Sequence, residues 1–440
     1  MMMTRRSALK GVAAAALLGL SGRIAHAEDT GGEILRQWYK VVLMLVRHTA
    51  TYSPPVASRA FAYLGVAAYQ AVASGSTSLV SLEGQLNGLK ALPPRDPKKR
   101  YSDAVITHCV MASAVKTFFG NTGPTGQRVM AAAEKKLKGE ALQGLSPEVI
   151  EASLAYGEAL KAAIIDWSAS DGGAVIENMG FPMDYPVSKE PGRWQPTSPI
   201  RMQQFPLLPK WGQNRTFAMP SGASCGLPPP PPYSEDPNSS FFESAKEVYD
   251  VTTHLTPEQI AIARFWSDDP MLSFTPPGHW IAIAHDLLDD KKAGLDETAE
   301  VMMRLGVAMA DGFIGCWNAK YQYDYVRPVT VIKKLIDAKW EPLLITPPFP
   351  EYPSGHSTES GAAAAVLTSI YGESFAFTDR THVRDGLGER KFASFTAAAD
   401  EAGMSRMYGG IHFRPAIEQG LAQGRCIAQF TIGLRTRSAA

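Results

Sequence analysis

The chain has 440 residues, 45% hydrophobic and 20% charged, a composition typical of a globular protein with a large buried core. Its 43 basic and 43 acidic residues give a formal net charge of zero, which excludes a strongly charged surface that would attract nucleic acid or an anionic membrane. Any anion that the protein binds must therefore be held by a local group of charges.

The first 27 residues have the pattern of an export signal. Arg5 and Arg6 precede an apolar run over residues 12–20, and Ala25-His26-Ala27 has the small residues of a cleavage site. The alternative is a membrane anchor, but the run is shorter than the roughly 20 residues that span a bilayer. We predict a twin-arginine-type signal peptide at residues 1–27 and a bacterial protein that is exported, periplasmic or secreted, without stable membrane association. Its removal leaves a net charge of −4.

The rest of the chain shows helical periodicity, with apolar residues three and four apart. This pattern predicts an all-α protein of two helical bundles, at residues 28–170 and 239–440. A Pro- and Gly-rich connection over residues 171–238 separates them, because proline lacks the amide donor that a helix needs. We expect this connection to pack across the C-terminal half, since it contains several aromatic residues. The predicted helices cover residues 31–50, 55–73, 101–119, 147–168, 256–267, 279–289, 297–323, 357–371, 385–403 and 414–434.

The first candidate site motif runs from Lys320 to Arg327-Pro328. Seven helical residues turn about 700°, so both cations would project from nearly the same face of a continuous helix. Pro328 disfavours the helical conformation at Arg327, and we therefore expect the helix to end there and to direct the guanidinium outward. The alternative interpretation is a solvated charge pair in which Asp324 partners Lys320.

The second motif is Pro353-Ser354-Gly355-His356, which follows a proline-rich approach to a predicted helix. Unpaired amides at a helix N-terminus favour an anion, Ser354 adds a hydroxyl, and Gly355 allows close approach of the backbone. His356 can exchange a proton near neutral pH. The alternative is an N-cap serine beside a surface histidine. A serine hydrolase is disfavoured because the GxSxG motif is absent.

The third motif places Arg406 six residues before His412. Gly409-Gly410 predicts a break between two helices, so that Arg406 and His412 face each other across a turn and hold one oxyanion. The alternative is a tight interhelical turn with a capping arginine.

Together, Lys-x6-Arg-Pro, Pro-Ser-Gly-His and Ser-Arg-x5-His resemble the signature of vanadium-dependent haloperoxidases and the type-2 phosphatidic acid phosphatase superfamily. The string from Pro348 to His356 is more similar to the haloperoxidase branch. The resemblance implies His412 as the nitrogen ligand of vanadate, His356 as the acid-base residue, and catalytic involvement of Lys320. It also implies the residues that would bind the oxygens of vanadate: Lys320, Arg327, Ser354, Gly355 and Arg406.

Two functions from different enzyme classes follow from the resemblance. In the favoured one, an oxidoreductase with orthovanadate as cofactor oxidises halide with hydrogen peroxide. In the alternative, a phosphatase without a cofactor hydrolyses a phosphate ester through a phosphohistidine at His412. A non-catalytic oxyanion-binding protein is the third hypothesis.

One position departs from the family pattern. Family members usually carry Asp four residues after the last histidine, where its carboxylate orients the imidazole, but this chain has Ala416. We expect either a carbonyl or a carboxylate from elsewhere to hold His412, or weaker oxyanion binding that Ala416→Asp would improve.

Two other groups of residues leave alternatives open. His279 is either a wall of the site or a partnered packing histidine. The four cysteines, at positions 109, 225, 316 and 426, are too scattered for a zinc site of the CxxC type. They are ordinary thiols or include one bridge.

Overall fold

A computed structural model describes residues 30–176, 180–198 and 200–438. The predicted export signal lies outside the described residues. Within them, no helix is both long and apolar enough to cross a bilayer. The N-terminal half contains α1 (residues 30–48), α2 (Pro54–Ala73), α3 (Asp103–Phe118), α4 (Pro124–Leu142), α5 (Pro147–Ala169) and the short α6 (Gly173–Ile176).

The C-terminal half carries eight further helices in the described residues. They are α7 (Ser240–Thr253), α8 (Pro257–Phe265), α9 (Thr275–Asp290), α10 (Leu295–Tyr323), α11 (Pro328–Leu335), α12 (Gly355–Tyr371), α13 (Phe395–Tyr408) and α14 (Arg414–Ile432). A small antiparallel pair, β1 (Phe377–Asp379) and β2 (Arg390–Phe392), lies between α12 and α13 with Phe377 opposite Phe392. The predicted all-α class is therefore confirmed for a mostly helical chain.

Close helix pairs organise the core. A Cβ on Gly306 of α10 would lie 2.6 Å from the Phe61 carbonyl oxygen of α2, and one on Gly424 of α14 would lie 1.9 Å from the Thr358 carbonyl oxygen of α12. Glycine is needed at both positions because any side chain would push the backbones apart. The first pair joins the two halves in one large apolar core. The second brings the first turn of α12 beside the middle of α14. The division into two bundles remains a prediction.

The proline-rich connection packs on the C-terminal half. Trp194 and Trp211 are buried, and the Trp194 amide donates to the Asp324 carbonyl at 2.9 Å. Tyrosine hydroxyls of the C-terminal half donate to carbonyls of the proline run: Tyr323 to Leu227, Tyr352 to Pro228 and Tyr325 to Pro231. A disulfide between Cys225 and Cys426 fastens the segment to α14, while Cys109 and Cys316 are free thiols.

Two local predictions are wrong. Helix α10 ends at Tyr323, four residues before Arg327, because Asp324 adopts a left-handed conformation with φ 48°. The chain then extends through Tyr325, which bridges to Arg193, so that Arg327 turns inward and is completely buried. The predicted helix over residues 385–403 is instead the strand β2 followed by α13, since three residues pair with β1 before the Ser394 side chain caps the helix.

Candidate active site

The first site residues sit where the chain changes direction. Arg327 caps α11, and its Nη1 lies 3.2 Å from Nε2 of His412, in the turn before α14. The same guanidinium donates to the carbonyl oxygens of Phe349 and Ile411, each at 2.9 Å. Burial lowers the pKa of Arg327 to about 10, so that the side chain stays charged at neutral pH. A buried cation therefore faces the imidazole directly.

Lys320 is also completely buried, on the last turn of α10. Its ammonium donates to the carbonyl oxygens of Pro350, Glu351 and Pro353. Burial, with Arg327 nearby, lowers its pKa to about 7. All three ammonium protons are thus directed at the loop before α12, and Lys320 fixes the backbone that carries the second motif.

The aromatic ring of Phe349 lies between the two cations. The Lys320 Nζ is 5.1 Å and the Arg327 Cζ is 5.0 Å from the ring centroid, and the ring packs on Trp317 at 5.0 Å. An aromatic face attracts a cation more strongly where water is excluded. Phe349 therefore helps to hold the two positive charges close together.

The second motif begins α12. Ser354 is its N-cap, and the Oγ accepts the Ser357 amide at 3.3 Å, while the Ser354 amide donates to the Ala416 carbonyl at 3.0 Å. Gly355 is the first helical residue. The N-terminal end of a helix carries partial positive charge and free amides, so this end of α12 favours an anion.

His356 follows on the first turn of α12 and is partly exposed, unlike the buried cations. Burial of the ring and the charge of Arg406 lower its pKa well below 6.5, so the imidazole is neutral. Its Nε2 is without a hydrogen-bond partner in the described part of the chain. This nitrogen is itself buried, so His356 can exchange a proton with a group bound inside the site.

Arg406 enters from the last turn of α13 and is buried. Its Nη1 donates to the Trp266 carbonyl, and burial lowers its pKa to about 10, opposed by Asp269. Helix α13 ends at Tyr408 and α14 begins at Arg414, so the predicted break at Gly409-Gly410 is confirmed. Nη1 of Arg327 lies 3.2 Å from His412, and the Ser354 amide donates to the Ala416 carbonyl at 3.0 Å, so residues of all three motifs lie together.

Several buried nitrogens in this site lack a hydrogen-bond partner. Among the described residues, Arg327 Nη2, Arg406 Nε and His356 Nε2 have no hydrogen-bond partner. Burial of unpaired cationic donors is costly, and an oxyanion would satisfy them. The donor set fits vanadate or phosphate, with three cations and the free end of α12 around one imidazole.

Sequence reasoning missed the carboxylate that holds His412. Glu351 is completely buried, and its Oε1 accepts from Nδ1 of His412 at 2.9 Å and from the Phe413 amide at 2.8 Å. Burial raises the pKa of Glu351 to about 7 against the opposing charge of Arg327. In the sequence, the one indication of Glu351 is an acidic residue between Pro350 and Pro353, just before the second motif. It lies 61 residues before the histidine that it contacts.

A second buried cluster offers possible metal ligands. Asp268, His279 and His382 bring ligand atoms within 4.8 Å of one another. Both ring nitrogens of His279 already contact carboxylates, at 3.0 Å from Asp268 and 2.7 Å from Asp379, and His382 contacts Asp268 and Asp385. A ring bonded to carboxylates on both sides is an imidazolium without a free lone pair. His279 is therefore a partnered packing histidine.

Comparison with known proteins agrees with this geometry. The family model described as the VCPO second helical-bundle domain matches residues 300–339 and 334–439. A solved structure described as the first bacterial vanadium-dependent iodoperoxidase is 40% identical, with a TM-score of 0.84 over 92% of this chain and 97% of that one. The chain belongs to the vanadium-dependent haloperoxidase family.

Two other relatives are less similar. Vanadium chloroperoxidase from Curvularia inaequalis is 23% identical over 210 residues, which are 40% of this chain. The match spans about one third of the length of that curated relative, 34%. A holo-type bacterial vanadium-dependent chloroperoxidase is 17% identical with a TM-score of 0.65, over 87% of this chain and 93% of that one, a similarity of fold alone.

Proposed function

We propose that this family member is a vanadate-dependent haloperoxidase that oxidises halide with hydrogen peroxide. The observation that carries the proposal is the set of unpaired buried donors beside Nε2 of His412. These donors fit a multiply charged oxyanion, and the family membership makes vanadate the oxyanion to consider first. When bound, vanadate activates peroxide for attack by halide without changing its own oxidation state.

The residues of the chain have separate roles in this proposal. Arg327 and Arg406 donate to the oxygens of vanadate and balance its charge, and Ser354 and Gly355 add the polar end of α12. His412 offers the lone pair of Nε2 as the vanadium ligand. His356 would move a proton at Nε2, because the ring is neutral and this nitrogen has no partner in the described part of the chain.

Lys320 has a more indirect part than the resemblance implies. Its ammonium donates to three carbonyl oxygens, so a direct bond to vanadate or peroxide requires one of those contacts to break. We assign it two effects: it adds positive potential at the site, and it fixes the loop from Pro350 to Pro353 ahead of Ser354.

Export through a twin-arginine-type signal at residues 1–27 is part of the proposal, with a periplasmic or secreted location. Support comes from the disulfide between Cys225 and Cys426, since such bonds persist in oxidising compartments and are rare in the cytosol. Fusion of residues 1–27 to a reporter, with Arg5→Lys and Arg6→Lys together as the control, tests this assignment by cell fractionation.

The activity is tested on the metal-free mature protein, with and without orthovanadate. Iodide is the first halide to assay, because a 40% identical relative is described as an iodoperoxidase, and bromide follows. We expect peroxide-dependent halide oxidation only after vanadate is added, and its loss in His412→Ala. The matched control is His48→Ala, at an exposed histidine of α1, which should behave as the wild type. Oxidation that persists in His412→Ala contradicts the proposal.

The same preparation tests the phosphatase alternative. Hydrolysis of a phosphate ester without vanadate, inhibited when vanadate is added, would favour phosphoryl transfer through His412. Vanadate binding without either activity would favour an oxyanion-binding protein.

A further inference from the structure

The unusual feature of this site is the origin of the carboxylate beside His412. The position four residues after the histidine is Ala416, which is completely buried in an apolar cluster with Tyr352 and Phe413. Its carbonyl oxygen accepts the Ser354 amide at 3.0 Å. Ala416 thus joins α14 to the start of α12 through its backbone, and its methyl group packs against apolar side chains.

The carboxylate comes instead from the loop before α12. The backbone of Glu351 is held on both sides, because its amide donates to the Tyr325 carbonyl at 2.9 Å and its carbonyl accepts from Lys320 at 3.0 Å. Its Oε1 then contacts both Nδ1 of His412 and the amide of Phe413. A side chain bonded to two consecutive residues fixes both the position of the imidazole and its rotation.

The partners of His412 also define its tautomer. Nδ1 faces an oxygen that already accepts an amide proton, so Nδ1 carries the ring proton. Nε2 faces Nη1 of Arg327 at 3.2 Å, and a guanidinium can only donate. Both contacts therefore leave the lone pair on Nε2, on the side of the unpaired donors.

We propose that Glu351 is the positioning residue of His412 and performs in this chain the task that Asp at position 416 would perform. The inference rests on the proposed function for its expected consequence, which is that Glu351 makes vanadate bind more tightly. Carboxylates that orient a ligating histidine contribute about 10–100-fold to metal affinity. The contacts themselves involve only residues of this chain, so they can be tested without vanadate.

The central variant is Glu351→Gln, and the matched control is Glu359→Gln, at a second buried glutamate that lies on α12. Binding of orthovanadate and of inorganic phosphate is measured by calorimetry on the metal-free protein. We expect Glu351→Gln to weaken vanadate binding by about 10–100-fold and phosphate binding much less, because phosphate uses the cations but does not bond to Nε2. Glu359→Gln should bind both as the wild type does. Equal losses for both anions, or no loss for vanadate, would overturn the proposal.

A second measurement separates this proposal from the proposed function. Long-range ¹H–¹⁵N spectra of histidine-labelled, vanadate-free protein report which ring nitrogen of His412 carries the proton, with His412→Gln used to assign the signal. We expect the Nδ1–H tautomer in the wild type. An Nε2–H tautomer would overturn the role of Glu351 even if the protein is an active peroxidase. An Nδ1–H tautomer in a protein that binds no vanadate would leave Glu351 in place and overturn the proposed function.

Discussion

Two of the buried histidines that contact carboxylates differ in charge: His279 is an imidazolium, whereas His412 is neutral. His412 contacts one carboxylate, Glu351, and burial together with Arg327 and Lys320 lowers its pKa well below 6.5. Burial alone would lower the pKa of His279 too, but Asp268 and Asp379 raise it to about 10. The balance of nearby charges, rather than burial, decides which imidazole is protonated.

The two histidines therefore have different roles, because His279 stabilises the fold whereas His412 faces the candidate site. His279 uses both nitrogens in ion pairs and stacks on Trp266 at 4.4 Å, so that it ties α9 to β1 and to the loop after α8. His412 directs the lone pair of Nε2 toward Nη1 of Arg327, beside cations that need an anion. Arg406 joins the two regions, since it is a site cation that donates to the carbonyl of Trp266.

The largest effect on this comparison is expected from His279→Gln. Loss of the imidazolium leaves two buried carboxylates without their shared cation, which costs about 3–5 kcal/mol of the free energy of unfolding. His412→Gln removes a neutral ring and should cost only about 1–3 kcal/mol. Urea unfolding near pH 6 measures both, with His48→Gln as the exposed control. Equal costs at the two buried positions would contradict the assigned charges.

The pH dependence of stability sharpens the same comparison. Because the folded pKa of His279 is about 10 and its reference value is 6.5, its contribution is complete below pH 6.5. The contribution is lost as the pH rises through about 10, since the folded state then binds more protons than the unfolded state. The difference in unfolding free energy between wild type and His279→Gln should therefore shrink from pH 6 to pH 10. A constant difference across this range would be inconsistent with a protonated His279.

Ala416→Asp is expected to make the surroundings of His412 resemble those of His279, with two carboxylates beside the ring. With Glu351 already on Nδ1, a second buried carboxylate adds no missing contact and favours protonation of the ring. The substitution should weaken vanadate binding and cost about 1–3 kcal/mol of stability. The sequence alone led to the opposite expectation, an improvement. Calorimetric titration of vanadate and urea unfolding decide between the two expectations. If the double variant Glu351→Gln with Ala416→Asp recovers the vanadate affinity that Glu351→Gln loses, the two carboxylates perform the same task.

Local sequence signals predicted the backbone at two of the candidate site motifs. Ser354-Gly355-His356 lies at a helix start and Gly409-Gly410 at a helix break, both marked by nearby residues. Glu351 could not be assigned, since its partner is 61 residues away and spacing carries no information at that range. The inward course of Arg327 was missed because it depends on Asp324 adopting φ 48°, which nothing in the helical pattern indicates.

The helices that were predicted include the most deeply buried ones, such as α2, in which 19 of 20 residues are buried. Four helices of the described residues were missed: α4, α6, α7 and α11. Helix α4 buries only four of its 19 residues, so its apolar periodicity is too sparse to detect. Helix α11 has eight residues, too few for periodicity to distinguish it from a turn.

The smallest effect is expected from Glu359→Gln. Burial raises the pKa of Glu359 well above 4.5, with Asp268 adding to the increase, which favours the neutral acid. Glutamine has nearly the same shape and is also neutral, and the free energy of unfolding should change by less than about 1 kcal/mol. A large gain in stability would instead mean that wild-type Glu359 is charged. In that case a third carboxylate would lie near His279, in addition to Asp268 and Asp379. The difference in surrounding negative charge between His279 and His412 would then be greater than the ion pairs alone indicate.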